Sequence, residues 1–455
     1  MVIGRNMIMV LGALILCSIT ALSQSLGAVV GAVLAFLAAA WFPILLIPLL
    51  MFAGAYQLLT VVGPLQFGWM IIVGAFGGLM IRMVMQSGSL RLDRYFVFVA
   101  ILFLTIGLIS SLLLHEGRLD RLATLVMLLI LVSYLVAIDF SDPKLCGARS
   151  ETTLIFAVAL GAVITTLFLF VALQLGLADT RRASELAIGF GESGGGSSNI
   201  SRILGYATVV LTIAALTLQK VKVSIRLLCF GVAIFAFIGM VYAGSRMPVL
   251  ASLAGISLAI LWSQHLSLGR IRLVSLVLSI VLISLVVVVI SIFMRVETIV
   301  VPFLSDQAMS LRIVRGVSIE SNIRVVMWQQ HLETLTPFRA VFGSGVGSFG
   351  NPHSVFVGSL ATFGIFGAVA VLFIMAYVVF AGGKKGLVIS LPLVIYIVLA
   401  YASSSDVDRT QFWILIAISL VLVRARGDAL QTDILKYRSS IDASVMTLVG
   451  NRQRS

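Results

Sequence analysis

Apolar runs about as long as a bilayer is thick alternate with short polar connections from one end of the chain to the other. The runs fall near residues 7–23, 26–41, 44–62, 66–86, 95–114, 121–139, 153–175, 203–219, 226–243, 247–263, 273–294, 354–380, 387–403 and 411–424. A helix of roughly 20 apolar residues crosses the hydrocarbon of a membrane. The ten-residue apolar–polar alternation of a transmembrane barrel is absent. The pattern therefore predicts an all-α, polytopic transmembrane helical bundle of about 12–14 spans. The second and third runs, separated only by Trp41-Phe42-Pro43, read equally well as one broken or re-entrant unit.

Composition agrees with the pattern. The chain has 455 residues, 60% of them hydrophobic and only 11% charged, against about 25% charge in a soluble domain. Cys17, Cys146 and Cys229 have no ligand spacing and predict neither a disulfide framework nor a metal site. Arg5 followed by an apolar run imitates a signal peptide. No small-x-small cleavage site followed by a soluble domain accompanies it, so the run is read as a first span.

The charges set an orientation. Arg82, Arg91 and Arg94, then Lys144 and Arg149, Lys220, Lys222 and Arg226, Arg270 and Arg272, Lys384 and Lys385, and the tail from Arg424 occupy every second connection. That face is expected to be cytoplasmic, with both termini inside. It carries 19 Lys and Arg against 7 Asp and Glu, or +12, and the other face 12 against 11, or +1; together these give the net +13. The basicity is thus mostly topology, and no nucleic-acid partner is expected. All six lysines fall on the inner face, and the twelve outer basic residues are all arginines. A guanidinium is a planar, permanently charged fork suited to phosphate oxygens, although chance and avoidance of outer lysine explain the bias equally well.

Two outer segments are long. Leu177–Ser201 holds Arg181, Arg182 and a Gly/Ser-rich run ending at Asn199, which predicts a mobile or tightly turning loop. Arg295–Pro352 contains Ser318–Leu335, with Ile319, Ile323, Val326 and Met327 at helical spacing. This reads as an amphipathic helix lying on the membrane surface and ended by Pro337. The chain accordingly divides into N-terminal transmembrane helices at 1–176, a candidate catalytic membrane region at 177–424 and a cytoplasmic tail at 425–455.

Few residues can carry chemistry. His353, one of only four histidines, stands at the boundary between the second outer segment and a span, beside Ser354 and after the glycine-rich Gly343–Gly350. It is either a proton acceptor at neutral pH or a solvated boundary residue. Gly364 and Gly367, further into the same span, would let another helix or a lipid chain approach closely. Arg246 lies in a short outer turn, Ala243-Gly-Ser-Arg-Met-Pro248, where a charge near hydrocarbon either snorkels to headgroups or holds a diphosphate. Arg202, at the mouth of the next span after Arg181 and Arg182, is either a second guanidinium for that diphosphate or a loop arginine facing water. Arg324 is explained by pairing with Glu320 on one helix face. Asp406 and Asp408 form a lone pair beside Arg409; turn solvation explains them, and the alternative is a role in orienting an acceptor sugar.

His353-Ser354, nine residues, then Gly364-x-x-Gly367 is similar to the H-[NSQ]-x9-G-x-x-G signature of the bacterial O-antigen ligases and related polysaccharide polymerases. Gly343-Ser-Gly-Val-Gly-Ser-Phe349 resembles the glycine-rich turn before that histidine, and Gly244-Ser-Arg246 the family's small-Ser-Arg turn. Ser321-Asn-Ile-Arg324 with Trp328 resembles the helix in its long outer loop. At Ala361-Thr362 the chain departs from the pattern, since many relatives carry an acidic residue there.

The resemblance implies a metal-independent, cofactor-free, inverting glycosyltransferase of the bacterial inner membrane. Its donor would be an undecaprenyl-diphosphate-linked glycan at the periplasmic face. Its acceptor would be another glycan, for a polymerase, or lipid A–core, for a ligase; the polymerase is slightly preferred. Membrane lipids, a flippase and a chain-length regulator would be partners. His353 and Arg246 would be the catalytic pair, with Arg202, Arg181, Arg182, Arg324, Ser354 and Asn199 on the substrate side. The rival class is a lipid-linked oligosaccharide transporter, which would need broken helices at the membrane midplane and internal two-fold similarity. The sequence suggests neither.

Overall fold

The computed structural model describes residues 19–20, 23–56, 60–62, 65–85, 92–114, 118–138, 150–174, 196–217, 223–243, 245–266, 328–333, 335–346, 354–402 and 410–425. In chain order its helices are α1 (Gln24–Trp41), α2 (Leu46–Ala55), α3 (Phe67–Met85), α4 (Arg94–Leu114), α5 (Leu119–Ala137) and α6 (Ser150–Gln174). They continue with α7 (Gly196–Thr217), α8 (Val223–Tyr242), α9 (Arg246–Leu266), α10 (Pro337–Phe342), α11 (Val355–Phe380), α12 (Gly383–Ala402) and α13 (Thr410–Ala425). Seven of these are long and apolar enough to cross a membrane: α3 to α8 and α11. Five more apolar stretches are shorter over the described residues: Ser25–Trp41, Pro43–Ala55, Met247–Leu261, Gly386–Ala402 and Thr410–Ala425. The chain is an all-α, multi-pass membrane bundle. The first expected span (mostly), the one at 273–294 and the tail beyond 425 lie outside the described residues.

The bundle is built around α13. Every residue of α13 is buried except Arg424, which is partly exposed. A helix apolar on all faces finds no lipid-facing side and must sit inside. Trp413 packs edge-on against Phe96 and Phe103 of α4, and Phe412 against Tyr401 of α12. Ile414, Ala417, Ile418 and Val421 face Ile47 and Leu50 of α2 and Leu135 of α5. Tyr206 of α7 shares a 2.7 Å hydrogen bond with Ser419. Helix α7 is also interior, with 78% of its span buried against 28% for α8, which lies at the rim. The core runs without interruption from α1 to α13, across the expected boundary at 176/177.

At one end, the Arg424 end, arginines cap neighbouring helices. Arg82 donates to Ala40 O in the last turn of α1 (3.2 Å), Arg226 to Ala215 O of α7 (2.8 Å), and Arg424 to Val136 O of α5 (2.7 Å). Carbonyls in a helix's last turn lack intrahelical donors, and a cation there also matches the helix dipole. Arg424 further pairs with Asp93, whose carboxylate caps α4 through the Tyr95 and Phe96 amides and accepts from Tyr377 of α11.

Several expected boundaries shift. The run at 44–62 does not form one span: α2 ends at Ala55, and Thr60–Val62 pairs antiparallel with Leu65–Gln66 in a two-stranded ribbon. Helix α2 is wholly buried and so need not match the bilayer thickness. It returns the chain so that α1 and α3 run parallel. Gly74 and Gly78 lie so close to the Ala32 and Phe36 carbonyls that a Cβ would sit 2.2 and 2.1 Å from them. This close crossing on small residues is the usual way helices associate in lipid. Pro337 does not simply end a surface helix. Residues 328–333 are helical, and Pro337 opens α10 behind a Thr336 cap.

The largest departure is in α11, which is broken. Gly364 adopts φ 64° and ψ −160°, a backbone region essentially reserved for glycine. The carbonyls on the near side of the break are recovered by the glycine-rich turn: Ser344 N donates to Ala361 O (2.9 Å) and Gly345 N to Thr362 O (3.0 Å). The approach is mutual. A Cβ on Gly343 would meet Thr362 O at 2.2 Å, and one on Gly364 would meet Val341 O at 2.0 Å. The glycine pair therefore admits neither a separate helix nor a lipid chain, as expected from sequence, but the turn 341–345 of the same chain. Gly367 is closed by its own Phe363 and Ser359. Phe363 stacks flat on Phe103 at 4.1 Å, fixing the break against α4.

Gly364→Ala should lower stability by more than about 3 kcal/mol, because both dihedral and contact forbid it. Gly231→Ala on the open face of α8, where a Cβ would meet nothing, should be neutral or stabilising. Thermal unfolding of the purified variants distinguishes the two.

Candidate functional site

The opposite end of the bundle, the Gln411 end, gathers the helix starts that carry the described candidates Asn199, Arg202, Arg246 and Ser354. α11 and α12 form an antiparallel hairpin through Ala381–Gly382, so Ser354 and Ala402 lie at the same end. The α12 C-terminus meets the start of α7, where Tyr396 Oη donates to Arg202 O at 2.6 Å. Ser201 Oγ donates to Met240 O, joining that start to the last turn of α8, from which the chain enters α9 at Arg246. Gly205 is the packing point. A Cβ there would lie 2.7 to 2.8 Å from Ser252 of α9, Tyr396 of α12 and Met240 of α8. Arg118 N donates to Val346 O at 2.6 Å, bringing the α4–α5 connection and the glycine-rich turn to this end too.

Arg202 is the chemical centre among the described residues. The sequence placed it at the mouth of a span beginning at 203, preceded by a loop. The helix instead begins at Gly196 and puts Arg202 roughly 9 Å inside it. Its side chain is 1% exposed and does not face water. A guanidinium stays protonated in any protein environment, and burying it is costly unless polar partners surround it. Those partners include Asn199 Oδ1, which accepts from Nη1 at 3.1 Å, and the face of the Tyr401 ring, 5.0 Å from the guanidinium carbon. Asn199 is likewise helical and buried, not part of a mobile loop. It sits one turn before Arg202, on the same helix face.

Gln411, Tyr396 and Tyr401 belong to this cluster and were not singled out by sequence. Gln411 Nε2 donates to Asn199 Oδ1 at 2.5 Å. Asn199 Nδ2, Gln411 Oε1 and Tyr401 Oη, all buried, have no hydrogen-bond partner among the described residues. Buried polar atoms left in this way mark a place where water or a ligand group completes the bonding. A glutamine opening an otherwise apolar helix was the available signal.

The other candidates are placed as follows. Ser354 is the N-cap of α11, its hydroxyl accepting from Val357 N at 3.4 Å, and is enclosed. Arg246 is the first residue of α9; its side chain lies outside the described residues. His353, Arg181, Arg182, Arg324, Asp406 and Asp408 lie outside them as well.

Arg202→Lys should reduce stability by about 1–3 kcal/mol, since an ammonium cannot both stack flat on Tyr401 and reach Asn199; thermal unfolding measures it. Comparison with protein-family models and with curated proteins found no match for this chain.

Proposed function

We propose that the chain is a membrane glycosyltransferase that moves a glycan from a polyprenyl diphosphate, of the undecaprenyl type, to an acceptor hydroxyl. The observation carrying this reading is a permanently charged, buried guanidinium at the end of the bundle where α7, α9 and α11 begin. Ionisable groups inside a membrane span are expensive and are retained for function. Here the charge has an evident use. Breaking the bond between an anomeric carbon and diphosphate develops negative charge on the leaving group, and fixed cations in a poorly solvated site stabilise it. The motif resemblance at Gly244-Ser-Arg246 and His353-Ser354 adds a second cation and a base.

In this mechanism the His353 imidazole accepts the proton of the acceptor hydroxyl. The freed oxygen attacks the anomeric carbon opposite the diphosphate, so the configuration inverts. Arg246 pairs with the departing phosphate oxygens, and Arg202 adds positive potential that holds the donor's diphosphate in both the bound and the reacting state. The donor is already activated, so orientation and charge stabilisation are what the protein must supply. The bacterial inner membrane is what the motif resemblance implies, and the lysine and arginine distribution supports an orientation with this end periplasmic and both termini cytoplasmic. Chain polymerisation in surface polysaccharide assembly is preferred over ligation to lipid A–core.

One observation speaks for the rival transporter reading, namely the break in α11 at Gly364. Transporters use such breaks to present open backbone groups to their cargo. Here Ala361 O and Thr362 O are already taken by Ser344 N and Gly345 N, which favours the enzyme.

Purified protein incubated with a polyprenyl-diphosphate oligosaccharide, with and without a core-lipid acceptor, should give glycan transfer that persists in EDTA. His353→Ala and Arg246→Ala should each lower it at least about a hundredfold while leaving membrane insertion intact. Wild-type transfer in either variant overturns the mechanism. Magnesium-dependent restoration after EDTA overturns its metal independence. Vectorial movement of the lipid without transfer selects the transporter.

A further inference from the structure

Asn199 Oδ1 is used by two donors from different helices. Arg202 Nη1 reaches it from the next turn of α7 at 3.1 Å, and Gln411 Nε2 from the first turn of α13 at 2.5 Å. The two ends of a carboxamide have nearly the same shape, so only hydrogen bonding decides which one faces a neighbour. Arg202 alone already favours the oxygen. The second donor strengthens that preference, because turning Asn199 around would set its amino group against two donors at once. Gln411 can act in this way because its backbone is fixed. It stands on a helix buried along its whole length except at Arg424, and Gly54 of α2 packs so closely that a Cβ there would lie 3.3 Å from Gln411 Cβ. Gln411 Oε1 has no hydrogen-bond partner among the described residues, so the bond to Asn199 is what orients this amide there.

We propose that Gln411 is a positioning residue for Arg202, acting through Asn199. It holds the Asn199 oxygen against the guanidinium and so fixes where the buried charge lies relative to the donor's diphosphate. The proposal rests on the transferase reading above. It differs from a packing role in acting on donor affinity through one shared oxygen atom.

The test is a double-mutant cycle on purified protein, with polyprenyl-diphosphate oligosaccharide as the varied substrate. Gln411→Met keeps the length of the side chain and removes its donor. It should raise KM for the donor about tenfold with kcat changed by less than about twofold, as expected for loss of a hydrogen bond that serves a charged group. Asn199→Ala should do the same, and the double variant should be no worse than the more affected single one, because both act on one interaction. An unchanged KM in Gln411→Met, or factors that multiply in the double variant, overturns the proposal. If Gln411→Met does not fold, Gln411→Glu, which places an anion beside the same oxygen, should show the KM rise, and a wild-type KM there overturns it equally. Wild-type protein that transfers no glycan at all would reject the transferase reading and this proposal with it. Active wild type with unaffected variants rejects only the role of Gln411.

Discussion

Inside hydrocarbon no water is at hand to complete a hydrogen bond, so every backbone polar group that enters the bundle must find its partner in the protein, and a polar side chain left without one is costly. α13 shows this constraint most plainly. It packs against α2, α4, α5, α7 and α12, and its polar residues are concentrated at the two ends, with Ser419 bonded in between to Tyr206 and to its own helix at Leu415 O. At one end Arg424 ties α5, α4 and α11 together through Val136, Asp93 and Tyr377. At the other, Gln411 ties α13 to α7 through Asn199. The helix is a fixed axis held at each end by hydrogen bonds to its neighbours. The candidate site is built on one of those ends.

The same constraint explains the broken helix. Interrupting α11 would strand two carbonyls in the membrane unless another backbone replaced the lost donors. Ser344 and Gly345 do so, and glycine at both Gly343 and Gly364 allows the two backbones to come within contact. The turn at 343–345 is thereby fastened to the span that begins after Ser354. That spatial closure gives a structural reason for a glycine-rich turn and a glycine pair to occur together on either side of Ser354. Periodicity suggested a close approach at Gly364 but could not name what approached, since the partner is the end of the short α10, some twenty residues earlier.

Legibility of the site varied with the kind of residue. Arg202 stood out because a charge beside a long apolar run is rare, yet its burial was misjudged. The preceding Gly-Gly-Gly-Ser-Ser composition reads as loop, and tertiary packing of α7 between α2, α6, α8, α9 and α12 overrode that local preference by extending the helix back to Gly196. Once the helix includes Asn199, the spacing to Arg202 puts both on one face. Gln411 and Tyr401 were invisible for a different reason. A glutamine and a tyrosine at span ends are ordinary interface residues, and only the crossing of α12 and α13 over α7 brings them to the arginine.

The sequence by itself determined the class of molecule, the existence of most spans and the segregation of lysine to alternate connections. These follow from hydropathy and charge summed over twenty residues at a time, which no packing detail reverses. Tertiary structure alone decided that α13 is the axis, that α11 is broken and docked on its own preceding turn, and that Arg202 is an enclosed charge held by residues about 200 positions away. Those outcomes depend on which carbonyl, ring or amide stands within about 3 Å of which donor. That is a property of helices brought side by side, and their order along the chain does not contain it.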